Sequence, residues 1–213
     1  MKRKTSRKKS KLSLIINLVL VISILTGAFA LLANLGTMSG DKKSSAPKGK
    51  WVLVTDQSML QENSKIIFVS RDRKFAMGKQ ADGYREATAV VASGDTITIN
   101  KDVQIITLKK SLFDDDYFQF YVDDYLSSRL YCPSGTSNSL KTTSVHEYDD
   151  VHCYSWGFSI STENTEIYGY YFLEDSEYPN SKLLKYNPSF KRFSCYSEDS
   201  PMQDVLIYTY VEE

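Results

Sequence analysis

Residues 156–161, Trp156-Gly-Phe-Ser-Ile-Ser161, alternate between large apolar and small residues. In an extended chain Trp156, Phe158 and Ile160 point to one side, and the small residues between them point to the other. This period of two is typical of a β-strand with one buried face. The stretch therefore predicts a strand that lies against an apolar core.

Similar runs recur along the rest of the chain after residue 50. Aromatic and β-branched residues, which favour strands, are concentrated there, and all 15 Tyr lie in this part. Further strands are predicted at 51–54, 65–69, 74–77, 96–99, 104–109, 117–122, 130–132, 166–172, 183–186, 192–196 and 205–211. No helical period longer than two turns is found among them. Residues 51–213 are therefore predicted to form one all-β domain.

The strand-like runs show a weak internal period. Runs begin near residues 65, 117 and 166, and each is followed by a shorter run near 74, 129 and 183. Three units of four strands would suit a barrel of the β-trefoil type. A β-sandwich explains the same number of strands, so both architectures stay open.

The N-terminal part has a different character. A basic tail at 1–11 precedes an uncharged apolar run at 12–35 and a small, polar tether at 36–50. As a helix the apolar run would extend about 36 Å, enough to cross a membrane. The predicted fold class is thus an all-β domain preceded by one transmembrane helix.

The basic residues predict the orientation of this segment, because Lys and Arg are retained on the cytoplasmic side of a membrane. The residues concerned are Lys2, Arg3, Lys4, Arg7, Lys8, Lys9 and Lys11. The prediction is a single-pass protein of the cell membrane with its C-terminal domain outside the cytoplasm. The alternative is secretion after signal cleavage near Ala30, and both interpretations place the domain outside.

The net charge of zero is a cancellation between two parts. Residues 1–50 carry a net charge of +10 and residues 51–213 a net charge of −10. Because phosphate neutralisation supplies most of the affinity for nucleic acid, an acidic domain argues against that partner. The partners predicted are the membrane and a glycan or a protein of the cell envelope.

A set of short motifs in the domain resembles an uncharacterised all-β module of secreted and surface proteins of gut bacteria. The motifs occur in order at 51–56, 66–69, 75–78, 130–131, 137–142, 156–160, 184–187, 193–196 and 205–208. One departure is Glu62-Asn63, which replaces a Gly-Asp turn. The module is often attached to hydrolases or adhesive repeats, so the resemblance implies an accessory or binding role.

Candidate metal ligands cluster in one short segment. His146, His152 and Cys153 lie within eight positions, and imidazole and thiolate are usual zinc ligands, but their spacing matches no standard zinc site. Asp114–Asp116 and Asp123–Asp124 offer carboxylates without the calcium-loop pattern. A solvated loop explains both groups, and no cofactor is predicted.

The three cysteines at 132, 153 and 195 form an odd set. Cys132 and Cys195 fall in strand-like runs, which slightly favours reduced, buried thiols over a bridge between them. Cys153, beside His152, is predicted to be the most reactive.

The tyrosines offer the remaining indication of function. Tyr168, Tyr170, Tyr171, Tyr178 and Tyr186 are more numerous than alternation alone would bury, and aromatic faces suit sugar rings or a protein partner. A binding or interaction module is therefore the function predicted. The alternative is a surface hydrolase of the glycosidase kind that uses convergent carboxylates.

That alternative depends on acids such as Asp115, Asp116 or Asp124, which would have to converge in a cleft. No G-x-S-x-G motif occurs, and the chain has only two His to act as a base. The sequence therefore assigns no catalytic residue.

Overall fold

The alternating runs form strands, as the computed structural model shows. It describes residues 49–112, 115–123, 125–133, 137–144, 152–153, 155–161, 165–170 and 182–212. The strands in this part are β1 (Gly49–Leu53), β2 (Lys65–Ser70), β3 (Phe75–Gln80), β4 (Arg85–Ala89), β5 (Val91–Ser93), β6 (Thr96–Thr98), β7 (Ile106–Lys110), β8 (Phe118–Tyr121), β9 (Arg129–Pro133), β10 (Lys141–Thr143), β11 (His152–Cys153), β12 (Ser155–Ile160), β13 (Thr165–Tyr170), β14 (Leu183–Asn187), β15 (Arg192–Tyr196) and β16 (Gln203–Glu212). One 3-10 turn, Gln57–Met59, follows β1.

The pairings close a ring. Starting from β2, hydrogen-bonded antiparallel neighbours run through β7, β8, β12 and β13. From there β14 joins β13 to β16, and β16 returns to β2. A closed ring leaves no unpaired edge along its barrel strands, which removes the usual liability of an open sheet.

The strands of the ring belong to three repeats of four strands each. The first repeat is β2, β3, β4 and β7; the second is β8, β9, β10 and β12; the third is β13 to β16. Their first strands begin at residues 65, 118 and 165 and their second strands at 75, 129 and 183, which confirms the predicted period. Each repeat contributes strands to the ring and one hairpin, which is the arrangement of a β-trefoil-like barrel. The alternative of a β-sandwich does not fit a closed ring.

The interior of the ring is filled by alternate residues of these strands. Ile66 and Phe68 of β2 point into the main core, where Phe120 stacks on Trp156 with ring centroids 5.1 Å apart. Burying one such side chain contributes about 1.5–3 kcal/mol. The alternation at residues 156–161 is thus the pattern of a strand that lines this core.

The other face of β2 is buried as well. Ile67 and Val69 pack beneath Trp51 and Ile97, which come from β1 and β6 outside the ring. The strands β1, β6 and β5 thus continue the sheet beyond β16 and bring Trp51 and Ile97 against the outer face of β2. Because both faces are covered, β2 is apolar from Ile66 to Val69 rather than alternating.

The hairpins of the three repeats contact one another at one end of the barrel. β4 of the first repeat pairs with β15 of the third, with Phe193 opposite Arg85. The second repeat joins them through Leu140, whose backbone N–H donates to the carbonyl of Gly83 (2.9 Å). We call this end the cap.

The predicted fold class is wrong in one part. We predicted a transmembrane helix before the all-β domain, and no helix in the described residues is long and apolar enough to cross a membrane. Residues 12–35, to which the helix was assigned, lie outside the described residues, as do the basic residues at 2–11. The prediction depended only on the length and apolar character of that run. The fold class is corrected to all-β.

Candidate functional site

The turn between β14 and β15 holds an aromatic side chain out from the cap. Asn187 ends β14, and its Oδ1 accepts a hydrogen bond from the backbone N–H of Phe190 (3.2 Å). Its Nδ2 donates to the hydroxyl of Tyr196 (3.2 Å), which anchors the turn to β15. Asn is common at such positions because its side chain closes the turn onto the backbone. Phe190 is consequently held in place although it is 70% exposed.

The next residue of the turn has an unusual backbone. Lys191 has φ = 47°, in the left-handed region where an L-residue is strained and glycine is favoured. The Lys191 ammonium also lies 5.6 Å from the ring centroid of Phe75. Strained non-glycine residues cluster at functional sites, so the residues beside Lys191 are candidates for such a site.

Arg192 lies between two aromatic rings at this point. Its guanidinium carbon is 5.0 Å from the ring centroid of Phe190 and 5.2 Å from that of Tyr84. Tyr84 comes from the first repeat, directly before β4, and reaches Arg192 because β4 and β15 pair. Cation–π contacts of this kind fix the guanidinium without using its N–H donors. We call Tyr84, Phe190 and Arg192 the Arg192 platform.

The guanidinium of the platform has no counter-ion within the described part of the chain. Glu86 is its cross-strand partner by register, yet no ion pair joins them. The Nε of Arg192 is buried and has no hydrogen-bond partner there. An arginine carries five N–H donors in a planar fork, which matches a carboxylate. The platform therefore offers a charged fork between two ring faces.

A second candidate is a cleft of about 250 Å³ at the boundary of the first and third repeats. Its lining includes Arg71, Arg73, Ser161, Thr165 and Asp204. The charges in it already have partners within the protein. Arg73 donates to the carbonyl of Gly94 (2.7 Å) and lies 3.7 Å from a carboxylate oxygen of Asp95, and Asp204 lies 3.6 Å from Lys185 Nζ.

The predicted tyrosine site is only partly described. Tyr186 is 2% exposed and packs against Phe75 and Phe193, so it belongs to the core. Tyr168 is half-buried and lies across Gly157, where an added Cβ would come within 2.4 Å of its ring. Tyr170 is the last residue of β13, and Tyr171 and Tyr178 lie outside the described residues.

The predicted metal ligands are also only partly described. His152 and Cys153 form β11, with Cys153 opposite Cys132 in register, while His146 lies outside the described residues. In the described part of the chain, no three His, Cys, Asp or Glu side chains come together. The three residues stay weak candidates from the sequence, for which a solvated loop is the favoured explanation.

The acids named for calcium or hydrolysis are placed in turns. Asp123 accepts hydrogen bonds from the backbone N–H and the hydroxyl of Ser127 (3.0 and 3.1 Å). Slight burial opposes ionisation, but these bonds outweigh it and lower the pKa of Asp123. Asp115 and Asp116 form the turn before β8, and Asp114 and Asp124 lie outside the described residues. Asp123 is thus engaged in closing its own loop.

Arg85 is a buried polar residue that the sequence analysis did not identify. It is 2% exposed, and its guanidinium donates to Gln104 Oε1 (3.1 Å) and to Thr142 Oγ1. Burial lowers the pKa of Arg85 to about 10. These bonds tie the first repeat to the second inside the cap, a structural role.

Comparison with known proteins adds little to this description. No family model matches the chain, and no curated protein matches it. Among solved structures the chain is similar to one described as "BEL beta-trefoil apo crystal form 3", with 10% identity and a TM-score of 0.48 over 71% of this chain and 96% of that one. At this identity and TM-score the likeness carries no argument, and the fold described above rests on the strand pairings.

Proposed function

We propose that this protein is a binding module and that the Arg192 platform binds acidic glycans. The observation that carries the proposal is a guanidinium held between two aromatic rings with no carboxylate of the described chain paired to it. Sugar rings pack their C–H faces on aromatic side chains, and a sugar carboxylate accepts two parallel N–H bonds from arginine. A uronic acid combines both features in one residue.

The binding role agrees with the accessory role that the resemblance to the surface module implies. We also propose that the domain acts outside the cytoplasm, which is supported by the basic run at 1–11 followed by an uncharged apolar run, the pattern of an export signal. Protease added to intact cells is expected to degrade the domain. Degradation only after lysis would contradict this location.

The platform is tested with two polymers that differ only in charge. The full chain is titrated with polygalacturonic acid and with the same polymer after reduction of its carboxyl groups. We expect saturable binding to the acidic polymer and binding at least about tenfold weaker to the reduced one, a difference of about 1.4 kcal/mol. Equal binding to both polymers would contradict a role for the guanidinium.

Two matched variants distinguish the platform from the cleft. Arg192→Gln removes the charge of the platform, and Arg71→Gln removes a charge that lines the cleft. We expect Arg192→Gln to lose binding and Arg71→Gln to keep it. The reverse pattern would assign the ligand to the cleft, and release of reducing ends during the titration would support the hydrolase instead.

A further inference from the structure

Glu86 is an exposed carboxylate beside the Arg192 platform. It lies in β4, directly opposite Arg192 of β15 in the antiparallel register. Residues opposite each other in such a pair point to the same face of the sheet, with Cβ atoms about 5 Å apart. The carboxylate of Glu86 and the guanidinium of the platform are therefore on one face of the cap.

These two opposite charges do not bind each other. A Glu and an Arg at opposite positions ordinarily attract each other across the strands. In the described part of the chain, however, no ion pair or side-chain hydrogen bond joins Glu86 to Arg192 or to any other residue. The guanidinium lies instead between the rings of Tyr84 and Phe190. A ligand at the platform would thus meet a positive group and a negative group side by side.

The chemistry of the carboxylate restricts which acidic ligands suit this face. An ionised carboxylate can only accept hydrogen bonds, and a sugar hydroxyl can donate one. The two oxygens of Glu86 suit two neighbouring hydroxyls of one sugar ring, and bonds to an ionised acceptor are about twice as strong as neutral ones. An anion without hydroxyls cannot make these bonds and meets only the repulsion of the Glu86 charge. The carboxylate therefore favours one class of acidic ligand and disfavours another.

We propose that Glu86 is the specificity-determining residue of the Arg192 platform. It accepts hydrogen bonds from two neighbouring hydroxyls of a sugar whose own carboxylate binds the guanidinium. This inference rests on the function proposed above and defines its ligand more narrowly. The ligand class is a uronic acid with two unsubstituted neighbouring hydroxyls, and polymers that carry carboxylates without hydroxyls are selected against.

The test titrates the full chain with polygalacturonic acid, which has hydroxyls and carboxylates, and with polyacrylic acid, which has carboxylates alone. Glu86→Gln replaces the charged acceptor by a weaker, neutral one with little change in shape. Glu198→Gln is the matched control, because Glu198 is exposed and lies beyond the end of β15. The quantity compared is the change of affinity that each variant causes, in which the contribution of the basic tail at 1–11 cancels.

We expect Glu86→Gln to weaken binding of polygalacturonic acid by about threefold to fivefold and to strengthen binding of polyacrylic acid by about twofold, with both nearly unchanged in Glu198→Gln. Stronger binding of both polymers, unchanged binding of both or equal weakening of both in Glu86→Gln would overturn the inference. Each of these results leaves the proposed function standing if Arg192→Gln loses binding. Absence of binding by the natural sequence would overturn both proposals.

Discussion

Arg85 and Arg192 lie on neighbouring strands of the cap, one position apart in register. Their environments are opposite. Arg85 of β4 is buried and donates to a neutral amide and a hydroxyl. Arg192 of β15 is half-buried, and its guanidinium lies between two rings with no hydrogen bond in the described chain. A buried charge must be solvated by the protein to be tolerated, whereas a surface charge can keep its donors for a ligand. The comparison separates a structural arginine from a binding one.

The largest effect is expected at Arg85. Arg85→Ala should lower the free energy of unfolding by about 3 kcal/mol, because it leaves a cavity and deprives Gln104 and Thr142 of a donor. Urea denaturation measures it. Arg85→Met is the control: it keeps the volume and removes an unpaired charge, so it should cost clearly less. Equal losses in the two variants would show that the hydrogen bonds dominate.

The second effect is expected at Arg192 and concerns binding. Arg192→Gln should weaken binding to polygalacturonic acid by about tenfold or more, since a neutral amide replaces the charged fork. The free energy of unfolding should fall by about 1 kcal/mol at most, because two cation–π contacts are lost but no side-chain hydrogen bond or ion pair of the described chain. Isothermal titration calorimetry measures the binding, and urea denaturation of the same preparation measures the free energy of unfolding. A large loss of stability would remove the contrast with Arg85.

A smaller effect is expected at Phe190, which forms one face of the platform. Phe190→Ala should weaken binding by about threefold to fivefold, corresponding to about 0.7–1 kcal/mol for a lost ring contact. Phe190→Leu keeps an apolar side chain without a flat ring and should lose a similar factor. Titration with the same acidic polymer measures both variants. Unchanged binding in both would restrict the platform to Arg192 and Tyr84.

The smallest effect is expected at Lys191, whose φ of 47° suits glycine. Lys191→Gly should relieve this strain and raise the free energy of unfolding by about 0.5 kcal/mol, the strain being partly offset by the flexibility of glycine. Lys191→Ala keeps the strained Cβ and serves as the control. Urea denaturation should rank glycine above alanine; the opposite order would mean that the turn is not strained at this position.

The sequence predicted the strands of the ring better than it predicted the site. The alternation from Trp156 to Ile160 and the threefold period depend on local spacing, and both are visible in one chain. Short strands with a less regular pattern, such as β4 and β10, were not predicted. β4 carries Arg85, and a charged residue in an Ala-rich segment gives no local indication of burial.

The site depends on contacts between distant parts of the chain. Tyr84 and Arg192 meet only because β4 pairs with β15, and no local pattern specifies that register. The number of tyrosines indicated aromatic surface but not its position, since Tyr186 proved to be in the core. Asn is common in turns, and the Phe that follows it in the turn at 187–191 is the local signal that could have indicated the platform.

The ring is closed by β2 and β16, and this pairing sets a condition on the order of folding. The hydroxyl of Thr209 donates to the carbonyl of Lys65 across 144 positions of the chain. Contacts between such distant residues slow folding, because a long loop must close before they form. During synthesis the first two repeats can form their hairpins, but the barrel stays open until Gln203–Glu212 has left the ribosome. Until then the apolar faces of β2 remain exposed to other chains, which makes this interval the time of greatest risk of aggregation.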